Sequence, residues 1–172
     1  MLDKKMQAAL GEQATKEFYS AYLYMAMASH LEAQVLPGLA KWMRVQAQEE
    51  SCHALIFFNY ICERGSKVEL GVIKAPPKDF KSVTEVFKHT VAHEREVTAS
   101  IHGIAELAAS IKDHATKQFL EWFVAEQVEE ENAAETMLRQ AARLEDDKAL
   151  FLLDKEASAR VFVLPAPLAG KV

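Results

Sequence analysis

The sequence predicts an all-α fold, a four-helix bundle with one long crossover and a short fifth helix near the C-terminal end. Three observations support this prediction. Apolar residues recur with a helical period over four segments of nearly thirty residues, glycine and proline are scarce and fall mostly at or between the ends of those segments, and only the middle connection is long. Half of the 172 residues are hydrophobic, enough for one domain with a substantial core.

The first two helices are predicted to form an antiparallel pair. The first runs from about Lys4 to Ala33, and a short turn follows at 35–37. The second runs from about Gly38 to Arg64 and stops at Gly65, because glycine readily adopts the left-handed conformation that closes a helix. Helices joined by so short a turn pack side by side in opposite directions.

The connection over residues 66–81 is predicted to cross the length of the bundle. It has no helical pattern and contains Pro76 and Pro77. Helices of this size are ~40 Å long, and sixteen extended residues at up to ~3.3 Å each can cover that distance. The sequence therefore predicts the single-crossover form of the four-helix bundle.

The second half of the bundle begins at Ser82, which is predicted to cap the third helix. Glu85 would complete a capping box, and this helix continues to about Ile111. The fourth helix opens at Asp113 or His114 and continues to about Leu144.

A short fifth helix is predicted from about Asp147 to Ser158, where the bundle domain, residues 1–158, ends. Residues 159–172 form an apolar tail whose prolines cannot continue the helix. This tail either frays as a free terminus or packs against a neighbouring subunit, since exposed apolar segments favour association.

Composition excludes several classes of protein. The net charge of −5 and the lack of a basic block argue against nucleic acid as a partner. No apolar run reaches the ~20 residues of a membrane span, and the first residues lack the apolar core of a signal peptide, so we expect a cytoplasmic protein. Cys52 and Cys62 lie on one helix, too far apart for a disulfide, and are expected to be buried free thiols.

Glu50 and His53 interrupt the apolar stripe of the second helix. Three residues apart, they point the same way, because a helix turns about 100° per residue. An ionised carboxylate on a core stripe is costly unless a positive charge lies beside it. Each of the other three helices carries polar residues on its stripe in the same manner: Glu17 and Tyr24 on the first, Glu94 on the third, and Glu126, Gln127 and Glu130 on the fourth.

This recurrence predicts a buried metal centre. A single carboxylate on an apolar face is usually a rim residue, but four helices with such residues at a similar height indicate a shared site. Oxygen ligands with one imidazole suit iron or manganese better than zinc. Two metals sharing Glu50 would neutralise the carboxylates. His93 is expected on the surface, and Tyr60 and Trp122 are expected to be core residues rather than cofactor contacts.

The pattern resembles the ferritins, and among them the bacterial non-haem ferritins, over nearly the whole chain. The residues that carry the resemblance are Gln13, Glu17, Tyr24, Ala47–Glu50, His53, Glu94, Trp122, Glu126–Glu130 and Phe151–Glu156.

The resemblance implies specific roles for these residues. One iron would be held by Glu17, Glu50 and His53, and the other by Glu50, Glu94 and Glu130, with Gln127 beside the pair. A third iron site would use Glu49, Glu126, Glu129 and Glu130. Tyr24 corresponds to the tyrosine thought to supply an electron. Haem is not expected, because Ser51 stands where bacterioferritins carry a haem-binding methionine, and Glu130 replaces their second histidine.

The resemblance implies a ferroxidase and iron-storage protein, a cage of twenty-four identical subunits (a 24-mer) that oxidises Fe(II) with O2 or H2O2 and deposits a ferric mineral. The fifth helix would line the fourfold axis. Two alternatives stay open from the residues: a di-iron oxygenase or peroxidase that acts on a small substrate, and a helical interaction protein without metal.

Overall fold

The computed structural model describes residues 1–144 and 146–170, and this part of the chain is helical without a strand. The predicted bundle with a short fifth helix is confirmed. The five helices are α1 Lys4–Ala33, α2 Pro37–Glu63, α3 Val83–Ser110, α4 His114–Ala141 and α5 Asp147–Ala157. Their bounds differ from the predicted ones by at most three residues. The largest difference is at α4, which ends before the predicted Leu144.

Helices α1, α2 and α3 end in the same backbone motif. At the end of α2, the Gly65 N–H donates to the Cys62 carbonyl at 2.9 Å and the Ser66 N–H to the Ile61 carbonyl at 3.1 Å. This is a Schellman motif, and Gly65 supplies its left-handed residue with φ of 70°. Val35 and Lys112 hold the same position without glycine, at φ of 60° and 58°.

Side chains cap four of the helices, through Asp3, Ser82, Asp113 and Asp146. The predicted capping box at Ser82 forms only in part, because the Glu85 carboxylate accepts from the Lys81 amide and not from the Ser82 amide.

The start of α2 is capped by another helix. Asp154 of α5 accepts from the Leu39 N–H at 2.8 Å, and Leu36 makes no side-chain cap bond of its own. A Cβ added at Gly38 would lie 1.8 Å from the Asp154 carbonyl oxygen, so only glycine permits this approach. Helix α5 is therefore docked on α2 by direct backbone contact.

The crossover lies along α1, as its predicted length requires. The Gln7 side-chain amide donates to the Lys67 carbonyl at 2.8 Å, and the Gly71 N–H donates to Thr15 Oγ1 at 2.9 Å. Phe80 is buried near the other end of α1, against the ring of His30. The connection thus covers most of the bundle length.

The core consists of two apolar clusters with a polar layer between them. One cluster includes Met27, Leu39 and Phe87, and the other includes Leu10, Phe57 and Phe123. The buried polar residues with ionisable or amide side chains are Gln13, Glu17, Gln46, Glu50, His53, Glu94, Gln127 and Glu130. All four long helices contribute to this layer.

The C-terminal tail packs against its own subunit. Leu168 is 2% exposed and joins the second apolar cluster, and Arg160 forms an ion pair with Glu49. The frayed alternative is therefore wrong for these parts of the tail. The division at 158/159 and the packing against a neighbouring subunit stay predictions, and Lys171 and Val172 lie outside the described residues.

Both cysteines are free thiols, as predicted. The expectation that both are buried is wrong, because Cys62 is exposed on the outer side of α2 and Cys52 is half-buried. Among the described helices, none has the length and apolar character that crossing a membrane requires.

Candidate metal centre

Glu17 of α1 joins Glu50 and His53 of α2 in a buried set, here named the inner group. One ligand atom from each of the three residues lies within 4.8 Å of the others. None of the three side chains is more than 2% exposed. The His53 Nδ1 atom lies 3.3 Å from Glu50 Oε2, which follows from the predicted spacing on one helix face.

A second set, the outer group, consists of His53, Glu126 and Glu130, whose ligand atoms also lie within 4.8 Å of one another. His53 therefore belongs to both groups. Glu130 is buried and Glu126 is half-buried, so the outer group lies closer to the surface of the subunit.

Glu94 of α3 completes the buried layer at 1% exposure. Its carboxylate accepts hydrogen bonds from the Tyr24 hydroxyl and from Gln127 Nε2, the latter at 3.3 Å. Glu94 and Glu130 each raise the pKa of Glu50 by charge repulsion, secondary to burial. The three carboxylates predicted to share a second ion are thus electrostatic neighbours.

The residues implied for a third ion are only partly together. Glu126 and Glu130 lie with His53, whereas the Glu49 carboxylate is paired with Arg160. Glu129 is exposed on α4 but close enough to raise the pKa of Glu126, an effect smaller than that of burial.

Two glutamines orient the carboxylates, and the sequence prediction missed both as site residues. Gln13 Nε2 donates to Glu17 Oε1 at 2.9 Å. Gln46 Nε2 donates to Glu130 Oε2 at 2.5 Å and lies 3.5 Å from Glu50 Oε1. Each glutamine precedes a ligand residue of its own helix by four positions, a spacing that could have identified them.

The expectation that His93 lies on the surface is wrong. Its Nε2 is 2.7 Å from Ser20 Oγ, and its ring meets those of Tyr19 and Tyr24 edge-on at 5.7 and 5.9 Å between centroids. Burial lowers the pKa of His93 to about 4, so the ring is neutral. His93 points away from Glu94, as its position requires, but toward α1 and not toward solvent.

Burial raises the pKa of several carboxyls at the centre. The pKa of Glu17 rises to about 8, with repulsion from Glu50 as the next cause, and that of Glu94 also reaches about 8, with Glu130 next. Among the described residues, His53 is the only basic side chain that is hydrogen-bonded to any of the four buried glutamates of the layer, and its partner is Glu50. Without a cation, the centre therefore holds protons at neutral pH.

The donor set fits a divalent cation. Glu17 Oε2 and His53 Nε2 are buried without a hydrogen-bond partner in the described chain, so both atoms can accept a metal ion. The rings of Trp122 and Phe123 meet the His53 ring edge-on at 5.6 and 5.8 Å. Trp122, predicted as a core residue, is half-buried, and its ring contacts His53, a candidate metal ligand.

The chain is similar over most of its length to proteins of one known family. A ferritin-like domain matches residues 7–144. A bacterial non-heme ferritin of Staphylococcus epidermidis is 43% identical over 163 residues, covering 94% of this chain and 98% of the relative, and one of Staphylococcus aureus is 41% identical over the same shares.

Solved structures resemble the chain closely. An engineered closed form of the Archaeoglobus fulgidus ferritin has a TM-score of 0.93 at 44% identity, covering 95% of this chain and 100% of its own. The open-pore ferritin of the same hyperthermophilic archaeon has a TM-score of 0.92 at 44% identity, with coverages of 94% and 100%. The domain match covers most of the chain, and the relatives and solved structures share its sequence and its fold. The chain therefore belongs to the ferritin family.

Proposed function

We propose that this ferritin, an iron-storage protein, is a ferroxidase that oxidises Fe(II) at the buried centre and deposits the product as a ferric mineral. The observation that carries the proposal is the inner group of Glu17, Glu50 and His53 beside Glu94 and Glu130. Iron is the substrate of this site, since the oxygen-rich donor set suits Fe(II).

The ligand roles are proposed from the arrangement of the side chains. Glu17, Glu50 and His53 would hold one Fe(II), and Glu50, Glu94 and Glu130 the second, with Glu50 between the two. Gln127 supports this assignment because it holds the Glu94 carboxylate in place. Two ferrous ions held together can give up two electrons and become ferric. O2 takes up these electrons with two protons and becomes H2O2, whereas H2O2 takes them up with two protons and becomes two water molecules.

Tyr24 is proposed to act beside the pair. Burial and the neighbouring Glu94 raise the pKa of its phenol well above the usual value of 10, so Tyr24 is neutral and its hydroxyl donates a hydrogen bond to the Glu94 carboxylate. A third ion is proposed at Glu49, Glu126, Glu129 and Glu130, from which iron would pass onward.

The working form is proposed to be a cytoplasmic cage of twenty-four subunits without haem, membrane or nucleic-acid partners. Helix α5 supports the assembly because it is apolar on two sides. Leu153 is buried against the bundle, whereas Phe151 and Leu152 are 66% and 64% exposed and available to other copies.

An aerobic Fe(II) titration tests the proposal. We expect a fast oxidation phase that saturates at about two to three irons per chain, followed by mineral growth to hundreds per assembly. Replacing both Glu50 and His53 with alanine should remove the fast phase and leave the assembly intact by size-exclusion chromatography. The control Glu121→Ala, an exposed change on α4, should preserve the fast phase. A small monomer that never accumulates mineral contradicts the proposal, and oxidation of an organic substrate would instead support the oxygenase alternative.

A further inference from the structure

Arg160 lies three residues beyond the end of α5 and makes two strong contacts. Its Nη2 donates to Glu49 Oε2, and its Cζ lies 4.2 Å from the centroid of the Trp42 ring. The Arg160 side chain is only 20% exposed and that of Glu49 only 16%. A guanidinium held by both a carboxylate and an aromatic face is more firmly placed than one in an exposed ion pair.

Glu49 belongs electrostatically to the outer group. Burial raises the pKa of its carboxyl and Arg160 lowers it, and smaller effects on that pKa come from Glu130, His53 and Glu126, the three members of that group. Glu49 is nevertheless not among the described residues whose ligand atoms lie within 4.8 Å of one another there. One oxygen of its carboxylate, Oε2, is paired with Arg160 instead.

Arg160 and a divalent cation compete for this carboxylate. The guanidinium that donates to Glu49 Oε2 occupies a lone pair that a metal could use, and the two positive charges repel each other. The chain is fixed on both sides of Arg160, since Ala157 and Leu168 are both buried. Arg160 therefore stays at high effective concentration beside Glu49.

We propose that Arg160 is a positioning residue that acts through Glu49, occupying this carboxylate as a built-in competing cation and so weakening divalent-metal binding at the outer group. The inference rests on the proposed function, in which the third ion, held by Glu49 together with Glu126 and Glu130 of the outer group and with Glu129, is iron in transit. Weak binding suits that role, because an ion held tightly beside the buried pair would not move on.

Calorimetric titration with Zn(II), a redox-inert substitute for Fe(II), tests the inference on the assembled full-length protein at pH 7. Arg160→Gln should tighten the weaker class of sites about tenfold and leave the tighter class unchanged. Arg160→Lys keeps the charge and should stay close to the wild type. Arg139→Gln is the matched control, since it removes an exposed arginine that pairs with Glu135.

Adding Glu49→Gln to Arg160→Gln should cancel the gain, because the released carboxylate is then absent. Anomalous scattering from Zn-soaked crystals should show higher occupancy at the outer group in Arg160→Gln than in the wild type. Unchanged or weaker binding in Arg160→Gln, with the tighter class intact, overturns this inference alone. A wild type without any tight class overturns the proposed function instead.

Discussion

The inner and outer groups share His53 but hold their carboxylates in different ways. In the inner group, Glu17 and Glu50 are buried and face neutral amide donors from Gln13 and Gln46. In the outer group, Glu126 is half-buried, and the neighbouring Glu49 is paired with a full positive charge. Glu130 of the outer group shares the Gln46 amide with Glu50, so the two groups differ mainly in burial and in the positive charge beside Glu49.

Removing one ligand from each group gives the largest expected contrast. Glu17→Ala should weaken the tight class of Zn(II) sites more than about a hundredfold and remove fast iron oxidation, because no other described carboxylate replaces Glu17 in its group. Glu126→Ala should cost about tenfold or less, at the weaker class only. Calorimetry and stopped-flow absorbance measure both effects, and equal losses in the two variants would show that the groups are not distinct.

Loss of an orienting amide should have the next largest effect. Gln46→Leu removes the donor to Glu130 and Glu50, so we expect a loss of about ten- to a hundredfold in affinity for metal. Gln48→Leu, an exposed change on the same helix, is the matched control. If both variants bind Zn(II) like the wild type, the Gln46 amide is not needed to orient the carboxylates of the inner group.

The metal-free protein should lose stability as the pH rises from 5 to 8. The folded pKa of Glu17 and that of Glu94 are about 8, above the value of 4.5 for a free carboxyl. Their contribution to the free energy of unfolding is therefore fully present below pH 4.5 and is lost as the pH rises through about 8.

We expect the unfolding midpoint in EDTA to fall by more than about 5 °C over that interval. Scanning fluorimetry measures this fall, and Glu17→Gln should reduce it. Zn(II) should release protons on binding at pH 7, visible as buffer-dependent heats. A midpoint that rises with pH would contradict the assignment of raised pKa values to these carboxyls.

Tyr24→Phe should have the smallest effect on metal binding and thereby separate binding from reaction. The change removes one hydrogen bond to Glu94, so Zn(II) affinity should change less than about tenfold. Oxidation of Fe(II) should slow, whereas Tyr22→Phe on the exposed side of α1 should have no effect. A loss of affinity as large as that in Gln46→Leu would make Tyr24 an orienting residue.

The sequence predicted the helices well because the signals for their ends are local. Ser82 and Asp113 are capping residues, and Gly65 ends α2 as expected. The meeting of these polar side chains in the core could be predicted because each helix places its own polar residues, as Glu50 and His53 show. Their burial and closeness follow directly from the helical period.

Contacts between distant segments could not be predicted in this way. Arg160 and Glu49 are 111 positions apart, and the tail has no periodic pattern that would place it on α2. His93 was misplaced because its own helix shows only which way it points, and not that α1 lies there with Ser20. Cys62 was misplaced because an apolar residue type does not by itself indicate a buried position.

The left-handed conformation of Val35 has a consequence for protein engineering. Val35 is 83% exposed and has φ of 60°, a conformation that a β-branched residue adopts only at a cost of about 1 kcal/mol. Val35→Gly or Val35→Asn would relieve this strain without altering any described contact of the metal centre. Because every copy of the chain carries the same turn, one codon change would raise the heat tolerance of every subunit of a cage used as a nanocontainer.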